Sequence, residues 1–177
     1  MNSILKNIFQ SLLSILMGLG LGMCLIGFTG ESPSKVMMVL LKSSFLSPYD
    51  FGMTLFYSTP LMLAGLSVAV AYRSGLFNVG AEGQLNMGAL GAVLAGIYFS
   101  HLPWPLAPIT GCVAAALFGG IWGLIPGFLK VKRGSHEVIT TIMLNFIAAA
   151  LTSYAILYQI KNTESQNPES LNVAEQF

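Results

Sequence analysis

Long runs without a charged residue dominate the chain, and they predict its architecture. Four such runs span residues 7–30, 51–72, 83–129 and 138–160. An ionised side chain is costly in hydrocarbon, and about 20 apolar residues cross a bilayer as a helix. The third run is long enough to cross twice, and two prolines break it at residues 100–105, where Trp and His suit a membrane interface. The pattern therefore predicts five transmembrane helices, near 8–28, 52–72, 84–100, 105–129 and 138–159.

The composition places the chain in the membrane class. It is 54% hydrophobic and 8% charged, with a mean hydropathy of +0.72, whereas soluble domains are about 25% charged. A net charge of +1 leaves no basic face for a phosphate backbone, which excludes nucleic-acid binding. The apolar runs lack the strict alternation of membrane β-strands. We therefore expect an all-α integral membrane protein, a polytopic helical bundle in the lipid bilayer.

The distribution of Lys and Arg predicts the orientation. Five lie in loops on one side of the predicted bundle and three on the other, which favours a cytoplasmic N-terminus. Residues 1–160 would form the transmembrane domain, and the polar tail 161–177 would be extracytoplasmic. Between the first two spans, the apolar run 36–41 is either a short interfacial helix or a packed loop.

Small residues recur at every fourth position in several spans. Such faces let helix backbones approach closely, which predicts a compact bundle. The residues concerned are Gly111, Ala115, Gly119, Gly123 and Gly127 in the fourth span, Gly88, Ala92 and Gly96 in the third, and Gly18 and Gly22 in the first.

The segment 73–84 combines three glycines with strongly polar side chains between two apolar spans. It should not be regular helix throughout. Irregular backbone at membrane depth survives only where it lines a cavity or is buried in protein; a solvated cytoplasmic turn is the alternative. Asn78 and Glu82 would share a face if that part were helical. The glycines lack the Lys-Ser/Thr of a Walker A motif, so ATP binding would belong to another polypeptide.

A second polar constellation follows at residues 130–145. Ser135 suits an N-cap and Glu137 suits the positive end of a helix. Glu137, Thr141 and Asn145 recur every fourth residue and form a polar stripe, which either hydrogen-bonds neighbouring helices or faces solute. The candidate cytoplasmic loop residues are Arg73, Lys130, Lys132, Arg133 and Glu137.

Catalytic and metal-binding arrangements are not evident in the sequence. His101 and His136 are isolated, and Asp50 is the only Asp. Triads and metal sites therefore lack their parts, and we expect neither a catalytic site, nor a bound cofactor, nor a metal ion.

Two ordered motifs carry a family resemblance. Residues 47–49 (SPY) lead to 59–61 (TPL) and then to 75–85 (GLFNVGAEGQL), and the second motif is 137–145 (EVITTIMLN). Together they resemble the permease subunits of bacterial ABC importers for nucleosides and simple sugars. By this resemblance the candidate pathway residues are Asn78, Glu82, Gln84, Thr141 and Asn145.

The resemblance implies a transport role in the bacterial inner (plasma) membrane rather than an enzymatic one. A multi-pass permease of this kind works with an ABC ATPase subunit, a second permease subunit or a C-terminal permease half, and an extracytoplasmic substrate-binding lipoprotein. The wording of the first motif is closer to the nucleoside branch.

The length departs from that family pattern. Family members have roughly ten helices, and five are predicted here. We therefore expect the N-terminal half of a permease, whether a truncated gene product, one half of a split permease or a remnant. The alternative is a small, non-transporting membrane protein with a structural or interaction role.

Overall fold

Helices account for nearly all regular structure in this chain. A computed structural model describes the backbone of residues 3–173 and the side chains of residues 5–173. Within those residues the only β-structure is an isolated bridge between Lys161 and Ser170, so the predicted all-α class is confirmed. The helices are α1 (Ser3–Phe28), α2 (Pro33–Phe45), α3 (Pro48–Arg73), α4 (Ala81–Tyr98), α5 (Leu106–Arg133) and α6 (Glu137–Tyr154), followed by a π-helical turn, Ala155–Gln159.

Helices occur at all five predicted spans, and four stretches are long and apolar enough to cross a membrane. These are Leu5–Phe28, Pro48–Arg73, Leu106–Arg133 and Glu137–Gln159. The helix at the third predicted span, α4, is not among these four, and its first two turns carry the polar residues Glu82, Gln84 and Asn86. The number of helices that cross the bilayer stays a prediction.

The chain forms two compact units, divided at Pro60 within α3. In the first unit α2 packs against α1. The run 36–41 lies within α2, so the interfacial-helix alternative describes its backbone correctly. Phe45 at the end of α2 meets Phe51 of α3, with ring centroids 6.3 Å apart.

The start of α3 is fixed by its local sequence. Pro48 occupies the first helical position, where its missing N–H costs nothing. The Asp50 backbone N–H donates to Ser47 Oγ over 3.1 Å, and the Ser47 hydroxyl donates to Asp50 Oδ2 over 2.7 Å. This reciprocal arrangement resembles a capping box and gives the SPY motif a structural role.

The second unit is built around α4. This helix packs against both α5 and α6, and it carries more buried residues than the other described helices, namely Gly83, Gly88, Leu90, Gly91, Ala95 and Gly96. Polar side chains occur in membrane helices where they face other helices of the bundle or a water-filled cavity. The polar N-terminal half of α4 is therefore compatible with a membrane protein.

Small residues bring α4 and α5 into close contact, as the four-residue spacing predicts. A Cβ placed on Gly88 would lie 3.2 Å from the Ala115 carbonyl oxygen, and one on Gly119 would lie 3.0 Å from the Gln84 carbonyl oxygen. The α1 glycines differ, because a Cβ on Gly18 or Gly22 would meet nothing within 4 Å among the described atoms.

The candidate cytoplasmic loop is shorter than predicted. Lys130, Lys132 and Arg133 lie in the last turn of α5, Arg73 ends α3, and Glu137 begins α6. Cations stabilise a helix C-terminus, so α5 continues through its basic turn until Gly134 ends it with a φ of 63°. Only residues 134–136 remain outside the helices.

The expected N-cap of α6 was also wrong. His136 occupies that position without a side-chain cap hydrogen bond. The Ser135 hydroxyl is buried and has no hydrogen-bond partner among the described residues.

The polar tail folds back on itself where it is described. The Leu171 N–H donates to the Ile160 carbonyl over 2.7 Å, and the Asn162 N–H donates to the Glu169 carbonyl over 2.9 Å. Ile160 is buried at the base of this turn. Residues 174–177 of the predicted tail lie outside the described part, and the side of the membrane on which the tail lies stays a prediction.

Candidate functional site

The segment between α3 and α4 is irregular, as its glycines predict. Helix α3 ends in a Schellman motif, in which the Leu76 N–H donates to the Ala71 carbonyl and the Gly75 N–H donates to the Tyr72 carbonyl, each over 3.0 Å. Gly75 has a φ of +76°, a conformation that an L side chain rarely adopts. The chain then runs without helix to Gly80 and enters α4 at Ala81.

Asn78 organises this segment through its carboxamide. Its Oδ1 atom accepts a hydrogen bond from the Gly80 N–H over 2.9 Å, as in an Asx turn. Its Nδ2 atom lies 3.4 Å from Ser67 Oγ of α3. The Asn78 and Gln84 amides also face each other, with both N···O pairs at 3.4 Å. Because Asn78 precedes the helix, it pairs with Gln84 and does not share a helical face with Glu82.

Helix α6 packs against this segment through Thr141 and Asn145. Asn145 Nδ2 donates to the Val79 carbonyl over 3.0 Å, and Asn145 Oδ1 accepts from the Gly83 N–H over 2.9 Å. Thr141 is buried, and its hydroxyl donates within its own helix to the Glu137 carbonyl over 2.8 Å. One side chain of α6 therefore joins the irregular segment to the first turn of α4.

The glycines of the first motif allow this close packing. A Cβ on Gly80 would lie 3.1 Å from Thr141 Cβ, and a Cβ on Gly83 would lie 2.8 Å from Asn145 Oδ1. The second distance is shorter than real Cβ contacts, so Gly83 cannot gain a side chain without displacing Asn145. The two motifs of the sequence are thus structurally complementary.

An ion pair links the end of α5 to the start of α6. Lys130 Nζ donates to Glu137 Oε2, and the two side chains are 39% and 21% exposed. Each charge also suits its helix end, because Lys130 lies in the last turn of α5 and Glu137 in the first turn of α6.

These groups surround a cavity of about 130 Å³, which we call the polar cavity. Its polar lining comes from the irregular segment, α4, α5 and α6, and its apolar lining includes an aromatic ring. The lining residues are Ala71, Leu76, Phe77, Asn78, Gln84, Gly123, Pro126, Gly127, Lys130, Glu137 and Thr141.

Half of the predicted site residues line the polar cavity, and the other half do not. The polar cavity brings together Asn78, Gln84 and Thr141 of the pathway set with Lys130 and Glu137 of the loop set. Asn145 does not line the cavity, and its side chain contacts the backbone of Val79 and Gly83 instead. Four predicted residues have exposed side chains and do not line it, namely Arg73, Glu82, Lys132 and Arg133.

Sequence reasoning missed two residues at this site. Ser67 contacts Asn78 from within an apolar span, and its hydroxyl was the available clue. Phe77 lines the polar cavity and lies inside the first motif, but an aromatic residue among apolar neighbours carries no distinctive pattern. Among the described residues there is no cluster of three or more His, Cys, Asp or Glu that could hold a metal ion.

Comparison with known proteins identifies the family. The family described as "Branched-chain amino acid transport system / permease component" matches residues 51–176, so the chain belongs to this family of transport permeases. Its relatives are ABC permeases and it has four helices suited to crossing a bilayer, which makes it a multi-pass protein of the bacterial inner membrane.

Several curated relatives are named as permeases for nucleosides or sugars. The guanosine ABC transporter permease protein NupP of Bacillus subtilis is 42% identical over 86% of this chain and 43% of its own length. The nucleoside ABC transporter permease protein NupB of Lactococcus lactis is 36% identical over 88% and 43%, and a glucose ABC transporter permease protein of Haloferax volcanii is 37% identical over 68% and 32%. The chain thus spans less than half the length of these relatives. No solved structure matches it.

Proposed function

We propose that the polar cavity is part of the solute pathway of an ABC importer for nucleosides or simple sugars. In this proposal the chain is a transport subunit without catalytic activity of its own, and ATP hydrolysis belongs to a separate ATPase subunit. An extracytoplasmic substrate-binding lipoprotein delivers the solute, and a second permease subunit or a C-terminal permease half completes the pathway. Family membership and the names of the relatives support this assignment.

The observation that carries the proposal is the pair of carboxamides in the cavity. Asn78 and Gln84 each present a donor and an acceptor, and their mutual contacts of 3.4 Å are long for hydrogen bonds between nitrogen and oxygen. While Asn78 Oδ1 keeps its bond from the Gly80 N–H, the long contacts between the two amides can be exchanged for contacts with a solute at little cost. Ribose hydroxyls and nucleobase edges both offer donors and acceptors, which is the chemistry that carboxamides match.

The charge of the cavity favours neutral solutes. Among the described residues, Lys130 and Glu137 are the only charged residues that line it, and they neutralise each other. The remaining polar groups are amides and a hydroxyl. An anionic or cationic solute would compete with this ion pair, whereas a nucleoside or a sugar would not.

The size of the cavity indicates that its walls must separate during transport. Sites that enclose a small molecule typically have volumes of about 300–1,000 Å³, whereas this cavity has about 130 Å³. A whole nucleoside therefore requires the amide pair, the ion pair or both to part. This need agrees with a pathway that opens and closes in alternation.

Uptake by amide variants tests the proposal. In cells that naturally express the chain, Asn78→Ala and Gln84→Ala replace the native copy, and uptake of radiolabelled guanosine and glucose is normalised to the amount of chain in the membrane. We expect each variant to lower uptake of the transported solute about tenfold, as for the loss of one buried polar partner.

Asn86→Ala is the matched control, because Asn86 is an amide on the same helix as Gln84 and does not line the polar cavity. It should retain nearly full uptake. Normal uptake in both the Asn78 and the Gln84 variants would refute the proposal.

A further inference from the structure

We infer that Asn145 is a positioning residue, which holds both members of the cavity's amide pair in place without contacting solute. The inference rests on the proposed function, because it assigns Asn145 a task in the same pathway. Sequence reasoning placed Asn145 in the pathway itself. In the structure its side chain contacts the backbone of Val79 and Gly83 and does not line the polar cavity.

The two hydrogen bonds of Asn145 reach the neighbours of the amide pair. Val79, whose carbonyl accepts from Asn145, directly follows Asn78. Gly83, whose N–H donates to Asn145, directly precedes Gln84. A single side chain of α6 therefore fixes the backbone beside both amides, although the two amides belong to different local structures.

Helix α4 depends on this contact for its N-terminal cap. The first N–H groups of a helix have no partner within that helix, and an N-cap side chain ordinarily accepts from the third residue. The N-cap of α4 is Gly80, which has no side chain to serve in this way. The Gly83 N–H is the third in the helix, and Asn145 caps it from the neighbouring helix.

The packing leaves no room for a solute between Asn145 and Gly83. A Cβ on Gly83 would already lie 2.8 Å from Asn145 Oδ1 and 3.1 Å from Asn145 Cα. Asn145 is also absent from the cavity lining, whereas Thr141, one turn earlier, is part of it. Asn145 therefore acts on the amide pair indirectly, by holding the backbone of Val79 and Gly83.

An engineered disulfide reports on this role without requiring transport. The reporter carries Gly80→Cys and Thr141→Cys, in a chain whose native Cys24 and Cys112 are replaced by Ala. The two Cβ positions are 3.1 Å apart, so a small shift brings them to the roughly 3.5–4.5 Å of a disulfide. The chain is oxidised in native membranes for increasing times and is then cut between the two cysteines. A cross-linked chain stays in one piece and an uncross-linked chain separates into two fragments, so electrophoretic mobility measures the rate of cross-linking.

The reporter is combined with Asn145→Ala, with Asn145→Asp and with the control Phe146→Ala, a neighbouring residue whose side chain is 72% exposed. Asn145→Asp keeps the size of the side chain and an acceptor for Gly83, but it places a carboxylate oxygen against the Val79 carbonyl. We expect both Asn145 variants to slow cross-linking roughly tenfold at normal membrane levels, because buried backbone groups lose their partners. Phe146→Ala should not slow it.

Uptake is measured in parallel for the same Asn145 and Phe146 substitutions in the otherwise native chain. The inference predicts a matching loss of uptake per molecule in both Asn145 variants. If the alanine variant fails to reach the membrane, the aspartate variant decides.

Unchanged cross-linking would overturn the inference and leave the proposed function intact. Slower cross-linking with normal uptake would also overturn it, provided that Asn78→Ala lowers uptake as expected. Normal uptake in the Asn78 and Gln84 variants would instead refute the proposed function, and the cross-linking result would then overturn or support the structural part of the inference alone.

Discussion

At the residue scale, the polar side chains around the cavity differ in what they contact. Asn78 turns the irregular segment and faces Gln84, while Asn145 binds backbone on two neighbouring elements. Thr141 directs its hydroxyl into its own helix and packs against Gly80. In the polar stripe on α6, Asn145 thus hydrogen-bonds neighbouring elements, whereas a solute-facing role for Thr141, which lines the polar cavity, stays a prediction.

Gly83 is a residue at which a single added methyl group should destabilise the packing between α4 and α6. In Gly83→Ala the new Cβ would lie 2.8 Å from Asn145 Oδ1 and 3.2 Å from Trp122 Nε1. We expect a loss of about 1–3 kcal/mol of stability, as for other overpacked sites. Thermal denaturation of the detergent-solubilised chain, followed by size-exclusion chromatography, measures the change.

Gly120→Ala provides the control for that substitution. Gly120 also lies within a helix, but a Cβ there would meet nothing within 4 Å of the described atoms. Alanine is the better helix former by about 1 kcal/mol, so this variant should be at least as stable as the native chain. If Gly83→Ala were as stable as Gly120→Ala, the close packing between α4 and α6 would be wrong.

Local chemistry could be predicted at this scale, but contacts between distant residues could not. The glycines and polar groups of 73–84 indicate irregular backbone, and Gly75 does adopt a positive φ. In contrast, Asn145 reaches Val79 across 66 positions of sequence. No local pattern encodes which face of α6 meets which turn, because that choice depends on how α4, α5 and α6 pack together.

At the element scale, the ion pair between Lys130 and Glu137 fastens α5 to α6. Removing one partner leaves the other charge half-buried and unpaired, which costs more than removing both. We therefore expect Lys130→Met and Glu137→Gln each to lower stability, and the double variant to be no less stable than either single variant.

The same chromatographic denaturation assay measures these variants. Lys132→Met is the control, because Lys132 lies in the same turn with an exposed side chain and makes no ion pair among the described residues. It should change stability little. Strictly additive losses in the double variant would show that the two charges do not interact.

For helix α4, hydropathy predicts the helix itself but not which elements it packs against. The charge-free run from Gly83 predicts a helix, and the prolines near residue 103 correctly predict its end. Gln84 and Asn86 lower the hydropathy of this helix, and hydropathy does not show that the helix packs against both α5 and α6. The spacing of small residues was the better guide, since Gly88 of the predicted stripe packs against the backbone of α5.

At the scale of the whole molecule, composition and motif order carry the identification. The high apolar content predicts a membrane protein, and two motifs in the right order indicate a permease, as the family match confirms. The sequence could not reveal that both motifs contribute to one cavity. That conclusion depends on the contacts of α6 with the first motif.

The most direct test of the account is protection of the polar cavity by solute. Phe77 lines the cavity and has an exposed side chain. In a chain whose native cysteines are replaced by Ala, Phe77→Cys would be labelled by a hydrophilic thiol reagent in membranes that contain the assembled transporter. Arg133→Cys, which is exposed but does not line the cavity, serves as the control.

The account predicts that the transported nucleoside or sugar slows labelling of Phe77→Cys severalfold and leaves labelling of Arg133→Cys unchanged. Equal labelling rates with and without saturating solute, in membranes whose uptake is intact, would contradict the central claim that solute passes through this cavity.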